Sequence, residues 1–244
     1  MKLTLTAIIA LFTLFAKAQA PLSPAKNAFE KKWIKDETYQ MKWFALRDTI
    51  KMEIGEVTTQ NSSTPNTLTI ITTVNMKGSK TPWIDTTVAK AADLTPIRHT
   101  SYNQQREMVL NFGKTVTGYY HDKLKNVRTP INDTPQTPYF DSNLYPALIS
   151  WLPLSENFKQ DINIYDYNPS GKIGLLKASV NKVTSGVFKT TRAGNIKVWI
   201  VEVTDEISLG KTAMTYYIAQ LDRKVWKQEI NAGGRKMEML RIEN

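Results

Sequence analysis

Short apolar-rich runs of alternating polarity, each closed by turn chemistry, recur along nearly the whole chain and limit it to a sheet built from hairpins. Tyr39, Met41 and Trp43 alternate with polar residues, and Ile50, Met52 and Ile54 do so in the next run. Successive strand side chains point to opposite faces, so this spacing sets one apolar face against one wet face. Residues 68–74, 83–88, 96–104, 106–112 and 115–121 have the same character, as do 162–167, 173–190, 196–204, 213–221, 224–230 and 236–242. The connectors have hairpin composition, among them Asn168-Pro169-Ser170-Gly171, Arg192-Ala193-Gly194-Asn195 and Asn231-Ala232-Gly233-Gly234. Turn signals about every 8–12 residues predict an antiparallel meander.

One segment breaks the pattern. Over residues 141–152, Leu144, Leu148 and Trp151 recur on one helical stripe. Asp141 or Ser142 is placed to cap the helix, Pro146 falls early enough to be tolerated, and Pro153 marks the exit. One helix among many strands predicts a mainly β fold. The expected architecture is a single antiparallel, strongly curved, half-barrel-like sheet partly enclosing that helix. The domain is expected over residues 38–244, after a flexible lead-in at 19–37 that carries Pro21 and Pro24.

Ahead of the lead-in, Lys2, a mostly apolar run over 3–15 and the small residues Ala16, Ala18 and Ala20 have the form of a secretory signal peptide. Cleavage after Ala18 is preferred, because Pro21 would stand next to the scissile bond of the alternative frame. The protein is expected to be periplasmic or otherwise exported. There are no cysteines, which excludes disulfides, thiol chemistry and a lipobox anchor. No segment after residue 18 reaches the about 20 apolar residues that a spanning helix needs. A transmembrane barrel is disfavoured by charged residues at outward positions and by the Arg241-Ile242-Glu243-Asn244 terminus. Loss of Lys2 and Lys17 with the leader lowers the formal charge of +10 by two. The basic residues are dispersed, which fits a solvated surface better than nucleic-acid binding.

Catalytic and cofactor motifs are missing. His99 and His121 fall on separate expected strands with no His-x-His or His-Glu-x-x-His spacing, so no metal site is expected, although Asp93 or Asp122 could join one through folding. No Gly-x-Ser-x-Gly elbow or phosphate-cradling glycine loop occurs, and no cofactor is expected. Asp205-Glu206 reads as a soluble turn. Trp151, Trp199, Tyr216, Tyr217 and Trp226 carry more information. Around Val198-Trp199-Ile200-Val201 apolar residues occupy both faces of one strand, so both faces must be covered. Burial by a further layer is the simpler account; an apolar cleft between sheet and helix, open to an acyl chain, is the sharper one.

Asp93-Leu94-Thr95-Pro96-Ile97, the 139–154 segment ending Leu152-Pro153-Leu154, and Leu221-Asp222-Arg223-Lys224-Val225-Trp226-Lys227 resemble a bacterial exported family, domain of unknown function 3108, over about residues 38–242. That resemblance implies a curved, half-open β fold wrapping a helix, similar to periplasmic lipoprotein carriers of the LolA and LolB type, and transfers no catalytic residue. The leading expectation is a non-enzymatic envelope protein binding a hydrophobic or lipid-like ligand, or a lipoprotein. Leu144, Leu148, Trp151 and Trp199 would line the site. The alternative is a module with a filled core that binds an envelope protein or polysaccharide. A hydrolase built on His99 or His121 is the third.

Overall fold

The computed structural model describes residues 20–207 and 212–243. The leader expected at residues 1–18 lies outside them. The first eight strands are β1 (Glu37–Arg47), β2 (Ile50–Ser63), β3 (Thr67–Met76), β4 (Trp83–Lys90), β5 (Pro96–Tyr102), β6 (Arg106–Asn111), β7 (Val116–Asp122) and β8 (Val127–Asp133). A two-residue strand β9 (Phe140–Asp141) precedes the helix α1 (Tyr145–Trp151). The later strands are β10 (Gln160–Tyr167), β11 (Ile173–Lys189), β12 (Asn195–Asp205), β13 (Thr212–Ala219), β14 (Val225–Ala232) and β15 (Arg235–Arg241). All belong to one 15-stranded sheet in the order β8-β7-β6-β5-β4-β3-β2-β1-β15-β14-β13-β12-β11-β10-β9. The first long strand pairs with the last, Met41 opposite Arg241, and a hairpin meander runs outward on each side of that seam.

The expected hairpins form where the turn residues allow them. Ala232 pairs with Arg235 across Gly233 and Gly234, both at positive φ (59° and 88°), the two-residue turn whose twist matches that of the strands. Two strands were not legible, the two-residue β9 and β8. β8 carries Pro130, which cannot donate to a ladder, and it sits at the end of the strand order where such a residue is tolerated.

The expected strong curl is corrected: the sheet is not strongly curled. Bending is spread over many strands, with irregular register at Trp43/Phe44, Val88/Ala89, Val180/Lys182 and Tyr217/Ile218. Side chains do the enclosing instead. Leu144, Leu148, Ile149 and Leu152 join Leu68 and Ile70 of β3, Val180 and Val183 of β11, and Val201 and Val203 of β12 in one buried core. A second cluster packs Met108, Leu110, Val116 and Ile131 of β6–β8 against Tyr139 and Tyr165, so residues near opposite ends of the strand order meet.

The lead-in is also corrected, because it is pinned. Leu22 is 3% exposed, donates its amide to the Asp161 carbonyl (2.7 Å) and accepts from the Asn163 amide (2.9 Å). Phe29 is buried, the Glu30 amide donates to the Trp151 carbonyl (2.8 Å), and a short 3-10 helix (Lys31–Trp33) leads into β1. Apolar residues of a Pro-punctuated segment can still bury area, and about 25 cal/mol per Å2 is gained by doing so. Among the described residues no helix is long and apolar enough to cross a membrane.

Candidate functional site

The helix is shorter than expected, and its caps differ. The residue preceding it is Leu144, with no side-chain cap, and Pro146 lies in its first turn where a missing N–H costs little. Asp141 accepts the Asn143 amide ahead of the helix (3.2 Å) but is also shared with β4 and β5, as described below. The Tyr145 hydroxyl donates to Asp205 Oδ2 (2.5 Å), tying α1 to β12. Asp205 is therefore a buried anchor and not a soluble turn residue; Glu206 beside it pairs with Lys172 at 3.1 Å.

Between α1, the 3-10 helix and the central strands lies a cavity of about 520 Å3. Its floor comes from β1–β3 and β13–β15, through Tyr39, Met41, Val57, Ile70, Tyr216 and Met239; Trp33, Pro146, Ala147, Ser150 and Trp151 cover it. The size falls within the about 300–1,000 Å3 of small-molecule sites, and the lining mixes an apolar body with a few polar groups, as such sites do. The polar groups gather where β1 begins, β15 ends and β13 turns into β14: Glu37, Asn61, Arg223 and Arg241. The Arg241 guanidinium is paired with Glu37 and lies over the Tyr39 ring, 4.5 Å from its centroid. Asn61 Oδ1 is buried and accepts no hydrogen bond among the described residues.

Of the four residues expected to line a site, only Trp151 lines this cavity. Leu144 and Leu148 are fully buried in the closed core beside it. Trp199 is half-buried against the same core and contributes nothing to the cavity lining. Its strand is buried on one face and partly open on the other, where Ile200 is half-buried and Glu202 exposed. Val201 and Val203 face the core, and around Phe188 on the adjoining strands an aromatic group forms with Tyr217 and Trp226 (centroids 6.0 and 6.2 Å away). The two arginines, Asn61 and Tyr39 escaped the sequence, whereas Tyr216 is one of the aromatic residues it singles out. Arg223 stands in an Asp-Arg-Lys turn whose composition signals exposure, and only tertiary packing buries it.

A second polar cluster adjoins the cavity, which Asn143 also lines. His99 Nδ1 is 2.9 Å from Asp141 Oδ1, and the Thr87 hydroxyl donates to Asp141 Oδ2 at 2.5 Å. Asp85 stands 4.0 Å from His99 Nε2, and the Asn143 amide donates to Thr87 Oγ1 (3.1 Å). Burial opposes the imidazolium charge, but Asp141, Asp85 and Asp166 outweigh it and hold the His99 pKa above the ordinary value. His121 is elsewhere, bonded to Asn126 Oδ1 (3.2 Å) on β7 and its turn. The acids that meet His99 are thus Asp85 and Asp141, not Asp93 or Asp122. Asp93 instead accepts the Thr95 amide (2.9 Å) in the turn that holds Leu94 at a φ of 63°. Among the described residues no group of three His, Cys, Asp or Glu side chains is arranged to hold a metal ion.

Comparison with curated proteins finds no match. The family described as protein of unknown function (DUF3108) matches residues 38–240, which takes in all the strands but the first residue of β1 and the last of β15, and most of the cavity lining, though not Trp33, Lys35, Asp36, Glu37 or Arg241. The chain belongs to the DUF3108 family.

Proposed function

We propose that this protein is an exported envelope protein that binds a hydrophobic or lipid-like ligand, without catalysis, in the cavity between α1 and the central strands. The observation that carries the reading is the cavity itself. It is about 520 Å3 in size, has Trp33, Met41, Val57, Ile70 and Trp151 on its walls, and carries polar groups at one end. An apolar chain entering it is removed from water at about 25 cal/mol per Å2, and so needs no dedicated hydrogen bonds along its length. A carrier role of the LolA or LolB kind is one form of this proposal. The proposal of export rests on the signal-peptide-like composition of residues 1–18.

Fluorescence of the uncharged probe N-phenyl-1-naphthylamine tests it. The purified protein is expected to enhance the emission saturably, with one probe per chain. Ala147→Phe, which fills the cavity from the helix side, is expected to remove the enhancement while circular dichroism stays unchanged. No saturable enhancement by the unsubstituted protein would move the assignment to the interaction module with an occupied core.

A further inference from the structure

Resting on that reading, the structure assigns a chemical class to the ligand: we infer that the cavity takes an amphiphile with an anionic headgroup, carboxylate or phosphate, held at the end where Arg223 stands. Four cations line the cavity, Lys35, Arg223, Lys224 and Arg241, along with the acids Asp36, Glu37 and Asp222. The acids are largely committed. Asp36 Oδ1 accepts both the Ser63 amide and hydroxyl at 2.7 Å, Glu37 pairs with Arg241, and Asp222 takes Lys224 at 3.0 Å. Arg223 is left out of these pairs.

Arg223 is only 9% exposed, yet its Nε and Nη1 donate to nothing among the described residues. Its nearest carboxylate, Glu30, is 3.7 Å from Nη2 and is already bonded to the Trp33 indole N–H (2.7 Å) and to Lys32 (2.8 Å). Beyond that, Arg223 has the Trp33 ring, 5.1 Å from its guanidinium carbon. A guanidinium keeps its charge in a protein and carries five N–H donors, so a buried one without full compensation is costly unless an anion completes it. Arg241, also lining this end, has a buried Nη1 without an acceptor. Two under-compensated guanidinium groups at one end of an apolar cavity match an amphiphile: chain inward against Met41, Val57 and Ile70, charge at the arginines. The bidentate geometry of Arg suits carboxylate and phosphate alike.

Displacement of N-phenyl-1-naphthylamine at pH 8 by dodecanoate and dodecyl phosphate, below their micellar concentrations, and by dodecanol, below its solubility limit, tests the assignment. The expected result is displacement by at least one anion at a concentration roughly tenfold or more below that of dodecanol. Whichever anion is stronger identifies carboxylate or phosphate as the source. Arg223→Gln is expected to abolish the preference and leave dodecanol unchanged, and Arg223→Lys to keep part of it. Equal displacement by the three compounds, or a preference that survives in a folded Arg223→Gln protein, overturns the assignment while the cavity-binding reading stands. Since the comparison in the unsubstituted protein is decisive alone, a variant that fails to fold leaves the test intact. If the uncharged probe itself does not bind, it is the cavity-binding reading that fails.

Discussion

His99 Nδ1 lies 2.9 Å from Asp141 Oδ1, and the two residues belong to β5 and β9, strands far apart in the order of a single sheet. Asp141 also accepts from Thr87 of β4 at 2.5 Å. A two-residue strand at the end of the order is thereby fastened to strands near its other end, just before the chain enters α1. The clasp positions the helix that covers the cavity.

Removing the shared acceptor should release that clasp. Asp141→Ala leaves buried His99 and Thr87 without their common partner, and breaking a buried pair from one side costs about 3–5 kcal/mol. Urea unfolding should show a loss of that order. A loss below about 1 kcal/mol would mean that His99 and Thr87 contribute little to holding β9.

The same pair predicts a pH dependence of definite sign. The folded-state pKa of His99 is raised above its unfolded value of 6.5, so the protonated form favours the folded state. Its stabilisation is fully present below pH 6.5 and is lost as pH rises through the higher folded value. The stability difference between the unsubstituted protein and His99→Gln should therefore be flat in mildly acidic urea titrations and shrink above pH 6.5. A difference that grows on going alkaline would reverse the assignment.

Leu22 should behave as a core residue although it precedes the matched family region. Leu22→Ala should cost about 2–5 kcal/mol, the range for truncating a buried leucine, and limited proteolysis should then cut the chain ahead of β1. A change within about 0.5 kcal/mol, the range of ordinary surface substitutions, would restore the lead-in to a loose segment.

Most of the strands were legible because alternation and hairpin turns are local properties. Residues 68–74 and 83–88 announce β3 and β4 through β-branched and aromatic runs, and the Gly233-Gly234 turn fixes the β14–β15 register on its own. β8 was hidden by Pro130, and β9 by its length of two residues. The helix stripe Leu144, Leu148, Trp151 correctly marked buried residues, but depth in the core and access to a cavity carry the same apolar signature. Hence Trp151 lines the cavity and Leu144 does not. The polar end of the cavity was illegible for a different reason. Arg223, Arg241 and Asn61 come from a turn, the last strand and the second strand, and only the central β1–β15 seam brings those elements together.

A substitution that fills space is a cleaner probe of the cavity than one that breaks the core. Trp151 is part of the buried cluster, so Trp151→Asp would bury a charge and unfold the helix region. Ala147 is half-buried on the cavity side, so Ala147→Phe should change stability by no more than about 1–3 kcal/mol, the range for overpacking, while removing binding. Thermal unfolding measured beside probe titration separates the two effects.

The most direct measurement is native mass spectrometry of the protein purified from an exporting host, before and after organic extraction. The account predicts a lipid-sized adduct, one per chain, that extraction removes, and a one-to-one adduct when dodecanoate or dodecyl phosphate is added back. A protein that is bare as purified and remains bare after incubation with both compounds, dodecanol and N-phenyl-1-naphthylamine would contradict it.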